Sequence, residues 1–289
     1  MKLRGRHDTY TADAEPFASG GHAHLHQLRG RKLVYKRYKQ PVTGQRQVRH
    51  LEQLHDTGRR VLVTDATPHG RQPVSSINWP VDLISGHGGG IVGVVLPAIP
   101  SAYFLAPGRP RTLDFLLLAR ANPPKAIVRV PVLLRLAEIL RRLDDDQLVH
   151  GDLSAKNIVW CAKPEPGAYL IDCDGLHRHG TASPHPVATS GWLDPRLADG
   201  HIQEHDHLSD RYALALAMYR GLLLNPGHLG KHNGRWQTPA NIPPRLDPPI
   251  RRLLERGLDP LDGQARPTAA AWVQRLLTTY LTSRAEQTT

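Results

Sequence analysis

Three polar side chains in the middle of the chain have the types and the spacing that a phosphoryl-transfer site needs. Asp152 comes first, Asn157 follows five residues later, and Asp172 ends an apolar run fifteen residues after that. A carboxylate can orient an attacking hydroxyl group, while an amide oxygen and a second carboxylate can hold magnesium on a nucleotide. We therefore expect Asp152 and Asn157 on one loop, with a short hairpin leading from that loop to Asp172.

Length and composition are those of one soluble catalytic domain. The chain has 289 residues, of which 40% are hydrophobic, which is typical of a globular protein rather than a disordered one. Its two cysteines, Cys161 and Cys173, cannot form a disulfide framework, and no apolar run approaches the ~18 residues of a membrane span. These features predict a cytoplasmic protein that has no membrane partner.

The net charge of +11 raises the question of a nucleic-acid partner. However, the basic residues are spread along the chain and most of them are arginines. No RNA-binding aromatic pattern, zinc-finger spacing or basic tail accompanies them. The composition therefore does not favour nucleic acid as a partner.

Residues 149–157 and 169–175 resemble the catalytic loop and the metal-binding loop of the protein-kinase superfamily. The resemblance implies that Asp152 accepts or orients the proton of a hydroxyl group, and that Asn157 and Asp172 bind Mg²⁺ on ATP. Catalysis would then depend on positioning and on charge neutralisation.

The same resemblance implies a fold of the α+β class with two lobes. The N-lobe would be a small antiparallel β-sheet with one main helix, and the C-lobe would be larger and mostly helical. We expect a flexible lead-in over residues 1–15, the N-lobe over residues 16–97 and the C-lobe over residues 98–289.

Both loops depart from the usual kinase pattern. Gly151 replaces an arginine that reads a phosphorylated activation loop in many protein kinases, so we expect no dependence on that phosphorylation. Ser154 stands where a lysine is common, and Lys156 could reach the γ-phosphate instead. An acidic residue, Asp174, stands where glycine is usual, which leaves the metal ligand open between Asp172 and Asp174.

The predicted N-lobe contains candidates for nucleotide binding. Gly20 and Gly21 resemble a degenerate form of the loop that covers the phosphates, although a glycine pair is also a common hairpin turn. Lys36 shares one face of a predicted strand with apolar neighbours and resembles the lysine that contacts the α- and β-phosphates. Glu52 is the only glutamate in the helical segment 43–55, so it is the candidate partner of Lys36 by elimination.

Three further strands are predicted, at residues 61–63, 77–84 and 91–97. The hinge against the adenine is expected over residues 95–99, with Leu96, Ala98 and Ile99 as nucleotide-binding residues. The glycine-rich residues 86–90 are predicted as a hairpin loop, because no helix follows them as a phosphate loop would require.

Features of the predicted C-lobe favour protein kinases over small-molecule kinases. Residues 189–196 resemble the end of an activation segment, with Arg196 in the place of an acidic residue. That acid normally pairs with an arginine at the position of Arg266, so Arg266 must find another partner. Asp210, in a predicted helix over residues 209–217, resembles the aspartate that hydrogen-bonds the backbone of the catalytic loop.

Together these motifs predict an atypical Ser/Thr protein kinase of the bacterial, eukaryotic-like kind that uses ATP and Mg²⁺ on a protein substrate. The predicted catalytic side chains are Asp152, Asn157, Lys36 and Lys156. Three alternatives stay open. One is a small-molecule phosphotransferase resembling aminoglycoside kinases, in which a glycine at the position of Gly151 is frequent. The second is a pseudokinase, which the degenerate glycine loop and Arg196 favour. The third is a nucleic-acid-binding module, which would follow from the net charge alone.

Overall fold

The chain folds as two units, which the computed structural model separates by their internal contacts. The first unit comprises Met1–Pro110 with Ile171–Asp174, and the second comprises Arg111–Leu170 with Gly175–Thr289. The structure describes residues 1–64, 76–86, 88–117, 123–181, 189–224, 229–237, 242, 247–260 and 262–286.

The first unit is built on an antiparallel sheet. Its described strands are β1 (Lys2–Arg4), β2 (Thr9–Thr11), β3 (Ala18–Ser19), β4 (Ala23–Gln27), β5 (Leu33–Val42), β6 (Asp82–Ser85), β7 (Ile91–Pro97), β8 (Phe104–Ala106) and β9 (Arg109–Pro110). The five-stranded sheet has the order β3-β4-β5-β7-β6, while β1 with β2 and β8 with β9 form hairpins. In the central strand β5, Lys36 is paired with Leu25 of β4 and with Val94 of β7.

Successive side chains of strand β5 point to opposite faces of the sheet, and both faces are covered. Tyr38 packs on one face, in a cluster that includes Leu51 of helix α1 (Gln45–Thr64). Tyr35 packs on the opposite face. The predicted loop at residues 86–90 does connect β6 to β7, with Gly86 N–H donating to Gly90 O at 2.8 Å. Residue 87 of that loop lies outside the described residues.

The prediction of a flexible lead-in over residues 1–15 is wrong, because β1 and β2 form a hairpin that packs on the sheet. Leu3 is paired with Tyr10, and both side chains are buried in the cluster that contains Tyr35. The hairpin is also tied to β6. The fully buried carboxylate of Asp82 accepts hydrogen bonds from Tyr10 OH at 2.9 Å and from Arg6 N–H at 2.8 Å.

The strand predicted at residues 61–63 is also wrong, because those residues continue helix α1. The β-branched residues there favour a strand locally, but they lie at the end of a 20-residue helix. Gly58 leaves room for the indole ring of Trp79, whose Nε1–H donates to Leu54 O at 2.8 Å. Trp79 lies in the predicted strand 77–84, of which only the end forms β6.

The second unit is mostly helical. Its described helices are α2 (Asp114–Leu117), α3 (Ala126–Asp145), α4 (Pro195–Ala198), α5 (His207–Leu223), α6 (Pro248–Gly257) and α7 (Ala269–Glu286). Its short strands are β10 (Leu148–Val149), β11 (Ile158–Cys161), β12 (Gly167–Leu170), β13 (His177–Arg178), β14 (Lys231–His232) and β15 (Arg235–Trp236).

Helix α5 is the buried centre of the second unit. Helix α3 contacts both α5 and α7, and α5 contacts α6. A capping box begins α5: the Asp206 carboxylate accepts from Ser209 N–H at 2.9 Å, and Ser209 Oγ accepts from Asp206 N–H at 3.2 Å. The expected short hairpin is β11–β12, in which Ile158 is paired with Leu170.

Among the described residues, no helix combines the length and the apolar character that a membrane crossing requires.

Replacing Gly58 by alanine should destabilise the protein, although alanine ordinarily favours a helix over glycine by about 1 kcal/mol. A Cβ atom at residue 58 would lie 1.7 Å from Trp79 Nε1, and the indole is held in place by Leu54. We expect the free energy of unfolding to fall by about 1–3 kcal/mol, as in other overpacked cores. Chemical denaturation measures this change.

Gly88→Ala is the control for that substitution, because a Cβ atom at residue 88 would meet no atom within 4 Å. A more stable Gly58→Ala protein would contradict the packing of α1 against Trp79.

Candidate functional site

The loop that carries Asp152, in the second unit, is held by a buried carboxylate. Asp210, in the first turn of α5, accepts hydrogen bonds from His150 N–H at 2.6 Å and from Gly151 N–H at 3.0 Å. Gly151 has a φ of 77°, which glycine adopts at little cost. A Cβ atom there would lie 3.2 Å from His177 Cε1. These contacts confirm the predicted role of Asp210 and explain why this loop takes glycine.

The carboxylate of Asp152 is oriented on both oxygens. Thr189 Oγ1–H donates to Oδ1 at 2.7 Å, and Asn157 Nδ2–H donates to Oδ2 at 2.9 Å. The same Asn157 amide donates to the Asp152 carbonyl at 2.8 Å, and His150 Nδ1 accepts from Asp152 N–H at 3.3 Å. The Asp152 carboxylate therefore has one oxygen bonded to a hydroxyl group of the chain and the other bonded to an amide group.

The turn that carries Asn157 leaves the neighbouring lysine at the surface. Ala155–Asn157 form one 3₁₀ turn, in which Ala155 and Asn157 are buried. Lys156 is exposed. Its reach to a γ-phosphate stays a prediction.

Lys36 in the first unit forms ion pairs with two carboxylates. Its Nζ donates to Asp174 Oδ1 at 2.7 Å and also to Asp172. Tyr38 OH donates to the other oxygen of Asp174, Oδ2, at 2.8 Å. Burial by itself lowers the pKa of Lys36, but the negative charges of Asp174 and Asp172 outweigh burial and raise that pKa above its ordinary value.

The prediction that Glu52 is the partner of Lys36 is wrong. Glu52 forms an ion pair with Arg6, while Lys36 pairs with Asp172 and Asp174. Helix geometry explains the difference, because successive helical residues are rotated by about 100°. Leu51 faces the core with 1% of its surface exposed, so Glu52 turns away from it, toward the hairpin that carries Arg6.

The two aspartates near Lys36 differ in availability to a cation. The Asp172 side chain is 51% exposed, and the Asp174 side chain is 6% exposed with both oxygens engaged. Asp172 also has a φ of 62°, a left-handed conformation that non-glycine residues seldom adopt. Asn157 uses its Nδ2 group on Asp152, which leaves Oδ1 as the acceptor. Carboxylate and amide oxygens are hard donors that suit Mg²⁺, so each of these two side chains is of a type that binds this ion. Their roles as metal ligands stay predictions.

A second group of potential metal ligands lies in the first unit, at His7, His55 and Asp82. The two imidazole rings stack with their centroids 5.0 Å apart and 17° between their planes. Lone pairs of ring nitrogens lie in the ring plane, so stacked rings do not direct them at one ion. Both oxygens of Asp82 already accept hydrogen bonds, from Arg6 and Tyr10. We assign no metal to this group.

The predicted glycine loop and hinge are both at the edge of regular structure. Gly20 and Gly21 join β3 to β4 and are exposed, and a Cβ atom on either would meet no atom within 4 Å. Leu96 is buried in β7, and Ala98 N–H donates to Lys32 O at 2.9 Å. The nucleotide-binding roles of Gly20, Gly21, Leu96, Ala98 and Ile99 stay predictions.

Arg266 has found another partner, as its sequence context required. Its guanidinium donates two hydrogen bonds to Asp194, at 2.8 and 3.0 Å, and both side chains are fully buried. Arg196 contacts the same carboxylate from Nη2 at 2.6 Å and also binds Asp206. The acidic residue therefore lies two positions before Arg196, where it also caps helix α4.

Sequence reasoning missed several members of the site. Tyr38 could have been found, because it lies two residues from Lys36 and so shares its face of β5. Asp194 precedes a proline at the start of a helix, which is a capping signal. No sequence pattern marks Thr189, because its contact with Asp152 joins residues that are 37 positions apart.

No protein-family model and no curated protein matches the sequence. Solved structures do match. One is ROP2 from Toxoplasma gondii, described as a virulence factor with a protein-kinase fold and no enzymatic activity. It is 16% identical with a TM-score of 0.61, and the alignment covers 97% of this chain and 85% of that chain.

The likeness confirms the predicted fold class. The chain has a protein-kinase fold of the α+β class, with a five-stranded antiparallel sheet in the first unit. At this level of identity the likeness shows the fold alone, so activity has to be argued from the side chains.

Acid should weaken the Asp194–Arg196–Asp206 network between about pH 4 and pH 2. Burial raises the pKa of Asp206, but its hydrogen bonds with Arg196 outweigh burial and lower the pKa from 3.8 to about 2. A carboxyl whose pKa is lower in the folded state stabilises the protein above the unfolded value, and that stabilisation is lost as the pH falls through the folded value.

Asp206→Asn keeps a capping side chain but removes the titrating group. We expect this variant to be less stable at pH 6, and its free energy of unfolding to fall less steeply between pH 4 and pH 2. Denaturant titrations across that range measure both effects. Asp145→Asn, at an exposed helix position, is the matched control. An unchanged slope in Asp206→Asn would contradict the assignment.

Proposed function

We propose that the protein is a kinase that transfers the γ-phosphoryl group of ATP to Ser or Thr hydroxyl groups of a protein substrate. The observation that carries this proposal is the setting of Asp152. Its carboxylate is fixed by Asn157, its loop is anchored on Asp210, and it accepts a hydrogen bond from a threonine hydroxyl at 2.7 Å. A carboxylate held in this way is suited to orient a substrate hydroxyl for attack.

In the proposed reaction, the substrate hydroxyl donates its hydrogen bond to Asp152. Its oxygen forms a bond to the γ-phosphorus as the bond from that phosphorus to the β–γ bridging oxygen breaks, so that ADP leaves. Asp152 accepts the hydroxyl proton as the oxygen loses it. Because such transition states are loose, the main contribution of Asp152 is orientation.

The nucleotide side of the reaction is assigned to the first unit and to Asn157. Lys36 carries a positive charge and would orient the α- and β-phosphates. Asp172 and Asn157 would hold Mg²⁺, which when bound neutralises charge on the phosphate oxygens. Gly151 occupies the place of the arginine that reads a phosphorylated activation loop, so the proposed activity does not depend on that signal.

Two other functions use the same fold and are tested beside this one. A pseudokinase is favoured by the loop at Gly20 and Gly21, where no close contact requires either glycine. A small-molecule phosphotransferase is favoured by Gly151, which such enzymes frequently have. Both would keep the described geometry of Asp152.

The test is transfer of radiolabelled phosphate from ATP to a protein mixture. We expect the wild-type protein to label a protein substrate and Asp152→Ala to lower the rate by about 10²- to 10⁴-fold, the usual contribution of a positioned acid–base group. Lys36→Met and Asp172→Asn should also lower it. Asp145→Ala, which removes an exposed carboxylate paired with Arg141, is the control.

The alternatives give different results in the same assay. ATP binding without transfer to any acceptor would indicate a pseudokinase. Transfer to amines or sugars, and not to proteins, would indicate a small-molecule enzyme. An Asp152→Ala protein that transfers phosphate at the wild-type rate would refute the role of Asp152.

A further inference from the structure

We propose that Asp174 and Tyr38 position Lys36 for the nucleotide, in place of a glutamate from helix α1. The inference rests on the proposed function, since it assigns Lys36 a task in ATP binding. It makes Asp174 and Tyr38 positioning residues, which act on the nucleotide through Lys36.

Three side chains of the first unit, those of Lys36, Asp174 and Tyr38, are linked by hydrogen bonds. Lys36 and Tyr38 lie two residues apart on β5, so they project from the same face of the strand. Lys36 Nζ donates to one oxygen of Asp174 at 2.7 Å, and Tyr38 OH donates to the other at 2.8 Å. With a donor on each oxygen, the Asp174 carboxylate can neither rotate nor move without losing a hydrogen bond.

Asp174 and Asp172 differ in burial, and this difference suits them to different roles. The Asp174 side chain is 6% exposed and has its two oxygens committed, so binding a cation would break buried hydrogen bonds. The Asp172 side chain is 51% exposed. Asp174 is therefore suited to hold Lys36, and Asp172 is suited to hold an ion.

The glutamate of helix α1, Glu52, does not pair with Lys36. Glu52 pairs with Arg6, and the backbone of Arg6 is anchored on the buried carboxylate of Asp82. The same hairpin is buried against the sheet through Leu3 and Tyr10. Lys36 is thus directed by the aspartates of residues 172–174, of which Asp174 is the buried one, and Glu52 pairs instead with the N-terminal hairpin.

The electrostatics agree with this arrangement. Burial raises the pKa of Asp174, but the charge and the hydrogen bond of Lys36 outweigh burial, so the pKa lies below its ordinary value. Burial and the charge of Asp174 raise the pKa of Tyr38 well above its ordinary value.

The chain offers a matched pair of tyrosines for the test. Tyr38 OH donates to the buried Asp174 at 2.8 Å, and Tyr10 OH donates to the buried Asp82 at 2.9 Å. Tyr38→Phe and Tyr10→Phe each remove one hydroxyl from a tyrosine–aspartate pair of the same unit. We expect similar small losses in thermal stability, but only Tyr38→Phe should weaken ATP binding, by about 3- to 10-fold as for one hydrogen bond.

A second pair of variants separates positioning from metal binding. Calorimetric titration with ATP, with and without Mg²⁺, gives the Kd of ATP and the Mg²⁺ concentration at half-saturation. Asp174→Asn should raise the Kd of ATP at least about tenfold even without Mg²⁺, because it weakens a charge-assisted contact. It should leave the Mg²⁺ half-saturation unchanged, whereas Asp172→Asn should raise it.

Glu52→Gln tests whether the carboxylate that positions Lys36 comes from helix α1 or from the loop that carries Asp174. We expect its ATP Kd to equal that of the wild type. Wild-type ATP binding in Tyr38→Phe and Asp174→Asn, or weakened binding in Glu52→Gln alone, would overturn this inference while leaving the proposed function in place. Failure of the wild-type protein to bind ATP would overturn both.

Discussion

Burying a carboxylate costs several kcal/mol unless hydrogen bonds and opposite charges replace its water. Among the residues that the structure describes, four aspartates are buried with 8% or less of their surface exposed: Asp82, Asp174, Asp194 and Asp210. Each accepts at least two hydrogen bonds, and each has a donor from a part of the chain that is distant in sequence. The fold of each unit depends on these groups, because each ties together segments that the sequence keeps apart.

The donors show what each buried aspartate holds in place. Asp82 holds the N-terminal hairpin, and Asp210 holds the backbone of His150 and Gly151, just before Asp152. Since a buried charge without donors strongly destabilises a protein, the loop cannot shift without a large cost at Asp210. The loop that carries Asp152 is thus fixed by the fold itself, and the proposed phosphoryl transfer would use such preorganisation.

The parts that could be predicted from the sequence depend on local patterns. Alternation around Lys36 specifies a central strand, and the spacing of Asp152 and Asn157 places both on one loop. The hairpin at residues 1–15 could not be predicted, because its strands are three residues long and its anchor on Asp82 is 76 residues from Arg6. Short strands that depend on such remote contacts have little local signal.

The two ion pairs that depart from the kinase pattern have one physical cause. That pattern has an acid at the position of Arg196 and a helix glutamate beside the strand lysine, whereas here Asp194 pairs with Arg266 and Asp174 pairs with Lys36. Each of these aspartates lies two residues from the position that the kinase pattern emphasises, since Asp174 follows Asp172 and Asp194 precedes Arg196. A buried cation requires a carboxylate at about 3 Å, whichever segment supplies it.

An ion pair can therefore persist while the residues that make it change position in the sequence. This explains how the chain keeps a kinase fold at 16% identity to a solved structure while its motifs look degenerate. At Asp174 and Arg196 the sequence departs from the kinase pattern, but the charged side chains there still form ion pairs. These departures do not by themselves indicate that a site has been lost. The side chains that would contact the reacting groups, Asp152, Asn157 and Asp172, are retained, so the proposed chemistry depends on them and not on the motif as a whole.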